Sequence, residues 1–144
     1  MKILVVSDTH GNNAVLDKLV KIHPDCDLYL HAGDSESDEQ SLFPFRTVRG
    51  NCDYFTTANE RLLINTPKGY LLMQHKPNIP SDIISEYDVK IFIHGHTHIR
   101  RYEIINNLII LNPGAMSYPR DKYDCSYAIV TIDNDDAKVN FFTL

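Results

Sequence analysis

Long hydrophobic runs are missing from this chain of 144 residues. The N-terminus, MKILVVSDTH, offers only Ile3 to Ser7 as consecutive apolar or small residues before Asp8 interrupts them. That is too short for a secretion signal and far short of the roughly 20 residues a membrane helix needs. Cysteine is also sparse. Cys26, Cys52 and Cys125 are odd in number, lie far apart and form no C-x-x-C pair. A disulfide framework is therefore not expected; free thiols in a reducing compartment are, with the cytoplasm as the expected location. A basic stripe is lacking too. The 14 Lys and Arg are scattered among 19 Asp and Glu, for a formal net charge of −5. This argues against a protein that grips duplex DNA through its phosphates. It does not exclude a phosphate substrate, because a bound divalent cation offsets negative charge locally. Repeats, low-complexity tracts and linkers are absent. The length suits a single domain over residues 1–144, able to bury roughly two thirds of its unfolded surface.

What the chain does have is a series of short apolar runs, each with a polar ending. Ile3–Val6 leads into Ser7-Asp8-Thr9-His10-Gly11, and Leu28–Leu30 into His31-Ala32-Gly33-Asp34. Phe45–Val48 leads into Gly50-Asn51-Cys52-Asp53, and Tyr70–Met73 into Gln74-His75. Ile91–Ile93 leads into His94-Gly95-His96-Thr97-His98, and Leu108–Leu111 into Asn112-Pro113-Gly114. Such runs bounded by Gly or Pro read as buried strands. Between the first two, Val15, Leu16, Leu19, Val20 and Ile22 recur at helical spacing, so residues 12–23 read as an amphipathic helix and the flanking strands as a parallel βαβ unit. A second helix is expected over 80–87, with Pro80 at its start. The C-terminal third reads as a β-meander with turns at Asn106-Asn107 and Asp133 to Asp136. Tyr102, Ile104, Ile105 and Ile109 read most simply as core strand residues, an outward apolar patch being the alternative. The expected class is α/β (α+β): two stacked mixed sheets flanked by helices.

In open α/β sheets ligands bind beyond the carboxyl ends of the strands. Six of the seven histidines lie there: His10, His31, His75, His94, His96 and His98. Asp8 and His10, like His96 and His98, are two residues apart. In extended backbone such pairs face one side, with Thr9 and Thr97 facing away. An isolated D-x-H or G-D is more often a turn than a ligand set, and Asn51 can be no more than a left-handed turn residue. Gly95-His96-Thr97-His98 is the stronger signal. His94 reads as a packing or backbone-bonding histidine.

The set D-x-H, G-D, G-N-x-D, a His after the fourth strand run, and G-H-x-H resembles the calcineurin-like metallophosphoesterases. The short length and "GNCD" are similar to their small bacterial and archaeal phosphodiesterase branch, which also contains the retromer subunit of the same fold. The resemblance covers essentially the whole chain and implies a four-layer fold of two mixed sheets with helices outside. It implies two divalent metal ions, one on Asp8, His10 and His98, the other on Asn51, His75 and His96, with Asp34 bridging. Mn²⁺ is the first choice, and Zn²⁺, Fe²⁺ and Ni²⁺ suit the same donors. It implies hydrolysis of phosphodiesters, and of monoesters as a secondary activity, by in-line attack of a hydroxide shared by the metals.

Asn51, Cys52, Asp53 and Asp34 are then the catalytic candidates, with Asp53 expected to orient the imidazoles. His31, Lys76 and Arg120 are candidate substrate contacts. His31 can equally be a satisfied strand-end histidine, and Lys76 and Arg120 solvated surface cations. Two positions depart from the family pattern. Lys76 stands where relatives often carry Gly after the ligand His. Cys52 stands where the wider superfamily commonly has a His near the leaving group; a thiol is a weak donor and cannot replace an imidazolium. The implied partner is a small phosphoester or nucleotide, with neither duplex DNA nor membrane; a homo-oligomer is compatible with the sequence. The alternative is a metal-binding scaffold of the same fold without turnover.

Overall fold

Alternation lets such short runs serve as strands buried on both faces. In the computed structural model, which describes residues 1–144, strand β1 (Lys2–Val6) directs Ile3 and Val5 into one apolar cluster and Leu4 and Val6 into another. Helix α1 (Ala14–Ile22) covers the second cluster with Val15, Leu16 and Leu19. Strands β2 (Leu28–His31) and β3 (Phe45–Thr47) follow, each parallel to its predecessor in the sheet. The chain then builds β4 (Arg61–Thr66), β5 (Gly69–Gln74), helix α2 (Ser81–Glu86) and β6 (Val89–Ile93). It ends with β7 (Arg101–Ile105), β8 (Leu108–Asn112), β9 (Ser126–Asp133) and β10 (Asp136–Thr143).

The strands form two five-stranded mixed sheets, in the orders β10-β9-β1-β2-β3 and β4-β5-β6-β8-β7. Between them lies the largest apolar cluster, which takes Ile3, Val5 and Leu30 from one sheet and Leu71, Met73, Ile91 and Ile93 from the other. A third cluster, with Leu72 and Phe92, packs against Ile83 and Ile84 of α2. The layers are helix, sheet, sheet, helix, the architecture expected from the sequence. No helix is long and apolar enough to cross a membrane.

Three details differ from the sequence reading. Strand β4 was not expected. Its apolar run, Leu62 to Ile64, is short and only partly buried, and it forms an edge strand whose position comes from antiparallel pairing with β5. The C-terminal third is not one meander. The β7–β8 hairpin belongs to one sheet and β9–β10 to the other, because both sheets need antiparallel partners and the chain crosses between them after Asn112. Finally, Tyr102, Ile104 and Ile105 are 44, 60 and 48% exposed, whereas Ile109 is core at 3%. The first three lie on edge strand β7, so the outward apolar patch is the arrangement found.

Backbone hydrogen bonds hold the strand-end loops to one another within each sheet and to the crossing segment between β8 and β9. Asp8 N–H donates to Gly33 O (3.0 Å) and His10 N–H to Asp34 O (2.9 Å). Met116 N–H donates to Ser7 O (3.0 Å), Ser117 N–H to Asp8 O (3.0 Å) and Gly95 N–H to His75 O (2.9 Å).

Candidate metal centre

Asp8, His10, Asp34, His96 and His98 all have positive φ, between 45° and 71°. The extended geometry expected for the i, i+2 pairs is therefore replaced by left-handed turns. These still bring Asp8 and His10 to one place, because the strand ends at Val6 and the loop, not the pleat, sets side-chain direction. Thr9 and Thr97 do turn away. Thr9 Oγ1 bonds Asn13 Oδ1 (2.6 Å), and Thr97 Oγ1 accepts from Asn112 Nδ2 (3.0 Å). A non-glycine residue in this region costs about 1–2 kcal/mol, so the site carries backbone strain that the surrounding packing must hold.

Three imidazoles here have their tautomer set by an obligate acceptor. His75 Nδ1 donates to Ala32 O (2.7 Å) and His98 Nδ1 to Tyr118 O (2.8 Å). His10 Nδ1 donates to Glu36 Oε2 (3.0 Å). A carbonyl or carboxylate oxygen only accepts, so in each neutral ring the lone pair is on Nε2. These Nε2 atoms converge. His98 Nε2 is 3.2 Å from Asp8 Oδ1 and 3.3 Å from His10 Nε2. His75 Nε2 is 3.1 Å from Asp34 Oδ2 and 3.9 Å from Asp8 Oδ1. His10 Nε2 is 3.9 Å from Asp34 Oδ2. Asp8 Oδ1 and His75 Nε2 are buried without a hydrogen-bond partner. Buried acceptors aimed at one another repel unless a proton or a cation lies between them. Nitrogen and carboxylate donors in this arrangement fit divalent transition metals.

Close-set donor groups are Asp8–His10–His98, Asp8–Asp34–His75 and His10–Asp34–Cys52. Both Asp8 and Asp34 are thus shared between groups. Asn51 and His96 lie alongside: Asn51 Oδ1 is 2.9 Å from His96 Nδ1, and the His96 ring is 5.2 Å from that of His75. Asp8 Oδ2 is anchored by Ser7 Oγ (2.6 Å) and His96 N–H (3.1 Å). Burial alone would raise the Asp34 pKa, but His75 and the Cys52 N–H (2.8 Å) outweigh it and bring it down to about 2. For His75, burial acts to lower the pKa and the carboxylates of Asp34 and Asp8 reverse the sign, leaving it raised. Gly50 and Gly95 are required by close approach. A Cβ on Gly50 would strike the Asp34 carboxylate and backbone N, and one on Gly95 would meet Ser7 Oγ and, at 2.7 Å, Asp8 Oδ2.

Several expected roles change. Asp53 orients no imidazole. Its buried carboxylate accepts from the backbone N–H groups of Asp34 (2.8 Å), Gly50 (2.7 Å) and Glu36 (2.8 Å), tying two loops together. The carboxylate that orients an imidazole is Glu36, which sequence reasoning missed; its position two residues after Asp34 was the available signal. His31 is fully buried, so it is not a substrate contact. Its Nδ1 accepts from Gly33 N–H (3.1 Å), and its Nε2–H donates to Thr9 Oγ1 (2.9 Å). Burial lowers its pKa to about 4. His94 is buried and bonds Gly95 O (2.9 Å). Lys76 is exposed beside His75. Arg120 donates its backbone N–H to His98 O (2.9 Å) and leaves its side chain exposed. Burial, then the Asp34 carboxylate, push the Cys52 thiol up, so it remains protonated near neutrality.

A family model described as "Calcineurin-like phosphoesterase superfamily domain" matches residues 1–135. The "Probable metallophosphoesterase YsnB" of Bacillus subtilis is 32% identical over 153 residues, covering 99% of this chain and 90% of that protein. A Streptococcus pneumoniae protein described as a predicted phosphoesterase superimposes with a TM-score of 0.88 at 29% identity, over 99% of this chain and 88% of the other. An archaeal phosphodiesterase gives a TM-score of 0.73 at 18% identity, over 99% and 100% of the chains. Zinc-bound Vps29 from Entamoeba histolytica gives 0.72 at 20%, over 99% and 98%. The last two show likeness of fold alone.

Two predictions follow from this geometry. His31 is neutral when buried and has an ordinary pKa of 6.5 when unfolded, so between pH 6.5 and about 4 the unfolded chain binds the extra proton. Stability is lost as the pH falls through that window, with His31 contributing about 3 kcal/mol. Urea unfolding in chelator should show a shallower pH dependence for His31→Asn; an identical slope would refute the assignment. Gly50→Ala should push the Asp34 carboxylate aside and weaken divalent-metal binding at least about tenfold by calorimetry.

Proposed function

Because the chain belongs to the calcineurin-like phosphoesterase superfamily, a family of metal-dependent hydrolases, we propose that it is a cytoplasmic phosphodiesterase with a dinuclear centre. Its substrates are small phosphoesters or nucleotides. The observation that carries this reading is the convergence of Nε2 lone pairs from His10, His75 and His98 on the carboxylates of Asp8 and Asp34. Asp8, His10 and His98 would hold one cation and Asn51, His75 and His96 the other, with Asp34 a candidate ligand to both. Asp8 is close-set both with His10 and His98 and with Asp34 and His75. Mn²⁺ is the first choice; Zn²⁺, Fe²⁺ and Ni²⁺ suit the same donors, and zinc occupies the Vps29 neighbour. When bound, the cations supply charge neutralisation at phosphoryl oxygens and a lowered pKa for water.

The protein's own groups set the rest. Glu36 and the carbonyls of Ala32 and Tyr118 keep three imidazoles in the metal-accepting tautomer. Asp53 holds the Asp34 and Gly50 loops in register. Lys76, exposed next to His75, supplies the positive charge for a phosphate oxygen in this reading. Cys52 lies beside Asp34 as a neutral thiol. It offers a departing alkoxide only a weak proton donor, which favours diesters and esters with good leaving groups.

Hydrolysis of bis-p-nitrophenyl phosphate with added Mn²⁺ tests the reading. Asp34→Asn should lower kcat/KM by more than about a hundredfold; activity that survives the change would sink the shared-carboxylate role. Metal uptake without hydrolysis would favour the scaffold alternative. Cys52→His should raise monoester relative to diester hydrolysis, and an unchanged ratio across several substrates would count against Cys52 as the determinant.

A further inference from the structure

A cleft of about 550 Å³ opens beside Asn51 and His75, and three cations line it: Arg49, Arg61 and Lys76. They come from three separate segments. Two are tied to the metal centre by sequence, since Arg49 is two residues before Asn51 and Lys76 directly follows His75. The protein's Lys and Arg ion pairs are Lys2–Asp25, Lys90–Asp88 and Arg101–Glu103, so none of the three cleft cations is paired. Of the two carboxylates in the lining, Asp53 is engaged by three backbone N–H groups, and Glu60 is exposed. Three unpaired cations against two carboxylates leave this lining net positive in a protein of net charge −5.

Arg61 is also positioned. It lies opposite Gln74 in the β4–β5 ladder and donates Nε–H to Gln74 Oε1 (2.9 Å). Gln74 is buried, and its Nε2 donates to Lys76 O (2.8 Å) and Asn78 O (2.7 Å). One amide therefore orients the guanidinium and holds the loop that carries Lys76. The terminal guanidinium nitrogens make no hydrogen bond within the protein, and that planar fork suits two oxygens of a phosphate. Tyr54 is the one hydrophobic residue in the lining, so the cleft is not built for an apolar substrate arm.

We infer that this cleft is a subsite for a second, non-scissile phosphate on the substrate, and that the substrate class is phosphodiesters bearing an additional phosphate group, such as 5′-phosphorylated dinucleotides. This rests on the phosphodiesterase reading and deepens it. The test compares the thymidine dinucleotide TpT with its 5′-phosphorylated form, pTpT, on the Mn²⁺-loaded protein. Its readout is the ratio of their kcat/KM values, with calorimetric affinities measured in parallel. The wild-type protein should favour pTpT by about tenfold, the effect of one or two charge-assisted hydrogen bonds. Arg61→Ala and Arg49→Ala should each bring the ratio towards one, and Arg61→Lys should retain part of it, because the charge persists without the fork. A wild-type ratio near one, or a preference unchanged in both alanine variants, overturns the subsite. If neither dinucleotide nor bis-p-nitrophenyl phosphate is hydrolysed, the phosphodiesterase reading fails by itself. The calorimetric preference for pTpT, and its loss or persistence in Arg61→Ala, then decides the subsite separately.

Discussion

Mutual repulsion among buried acceptors is the constraint on which the rest of this protein depends. Asp8 Oδ1, Asp34 Oδ2 and the Nε2 atoms of His10, His75 and His98 point into one small volume. Left alone, such an arrangement would fly apart or fill with protons. It is kept together by bonds on the far side of each group: a carbonyl behind His75, another behind His98, a carboxylate behind His10, and backbone N–H groups or a serine behind the two aspartates. The outer partners hold the lone pairs inward, and a cation is the species that turns this repulsion into attraction.

The scaffold bears the cost of that arrangement in identifiable places. Left-handed backbone at Asp8, His10, Asp34, His96 and His98 is tolerated because the loops are hydrogen-bonded to neighbouring strand ends and to the crossing segment between β8 and β9. His31 and His94 are buried neutral, each satisfied by a local partner, with burial lowering their pKa values to about 4. Asp53 concentrates one buried carboxylate on three backbone donors, making it the anchor between the Asp34 and Gly50 turns. The two glycines at closest approach, Gly50 and Gly95, leave room for the aspartate carboxylates beside them.

Much of this was legible because apolar runs and strand-end polar groups are local features. Ile3 to Val6 and Ile91 to Ile93 announced buried strands, and α1 and α2 lie where periodicity and Pro80 put them. The edge strands were less legible. Strand β4 has only a short, half-exposed apolar run, and the apolar residues of β7 read as core although no layer covers them. At the site, the i, i+2 spacing did bring Asp8 and His10 together, but through left-handed turns that spacing alone does not reveal. Glu36, to which no role was assigned, takes the orienting role expected of Asp53, because which carboxylate reaches an imidazole depends on how the loops cross.

The sequence by itself determined the strand runs, the polar residues that end them, and the family to which the pattern GD, GNCD and GHTH belongs. Those follow from short-range chemistry: alternation, turn residues and donor type. Only the tertiary structure decided which nitrogen of each histidine is free, because that depends on a carbonyl or carboxylate distant in the chain. It also decided where the charge goes. Arg49, Arg61 and Lys76 look scattered in a chain of net charge −5, yet the pairing of β4 with β5 brings Arg61 beside the loop of Lys76, and the bond from Arg49 N–H to Asn59 O (2.9 Å) ties Arg49 to the segment that leads into β4. Electrostatic potential depends on distance in space, and sequence order carries little of that information.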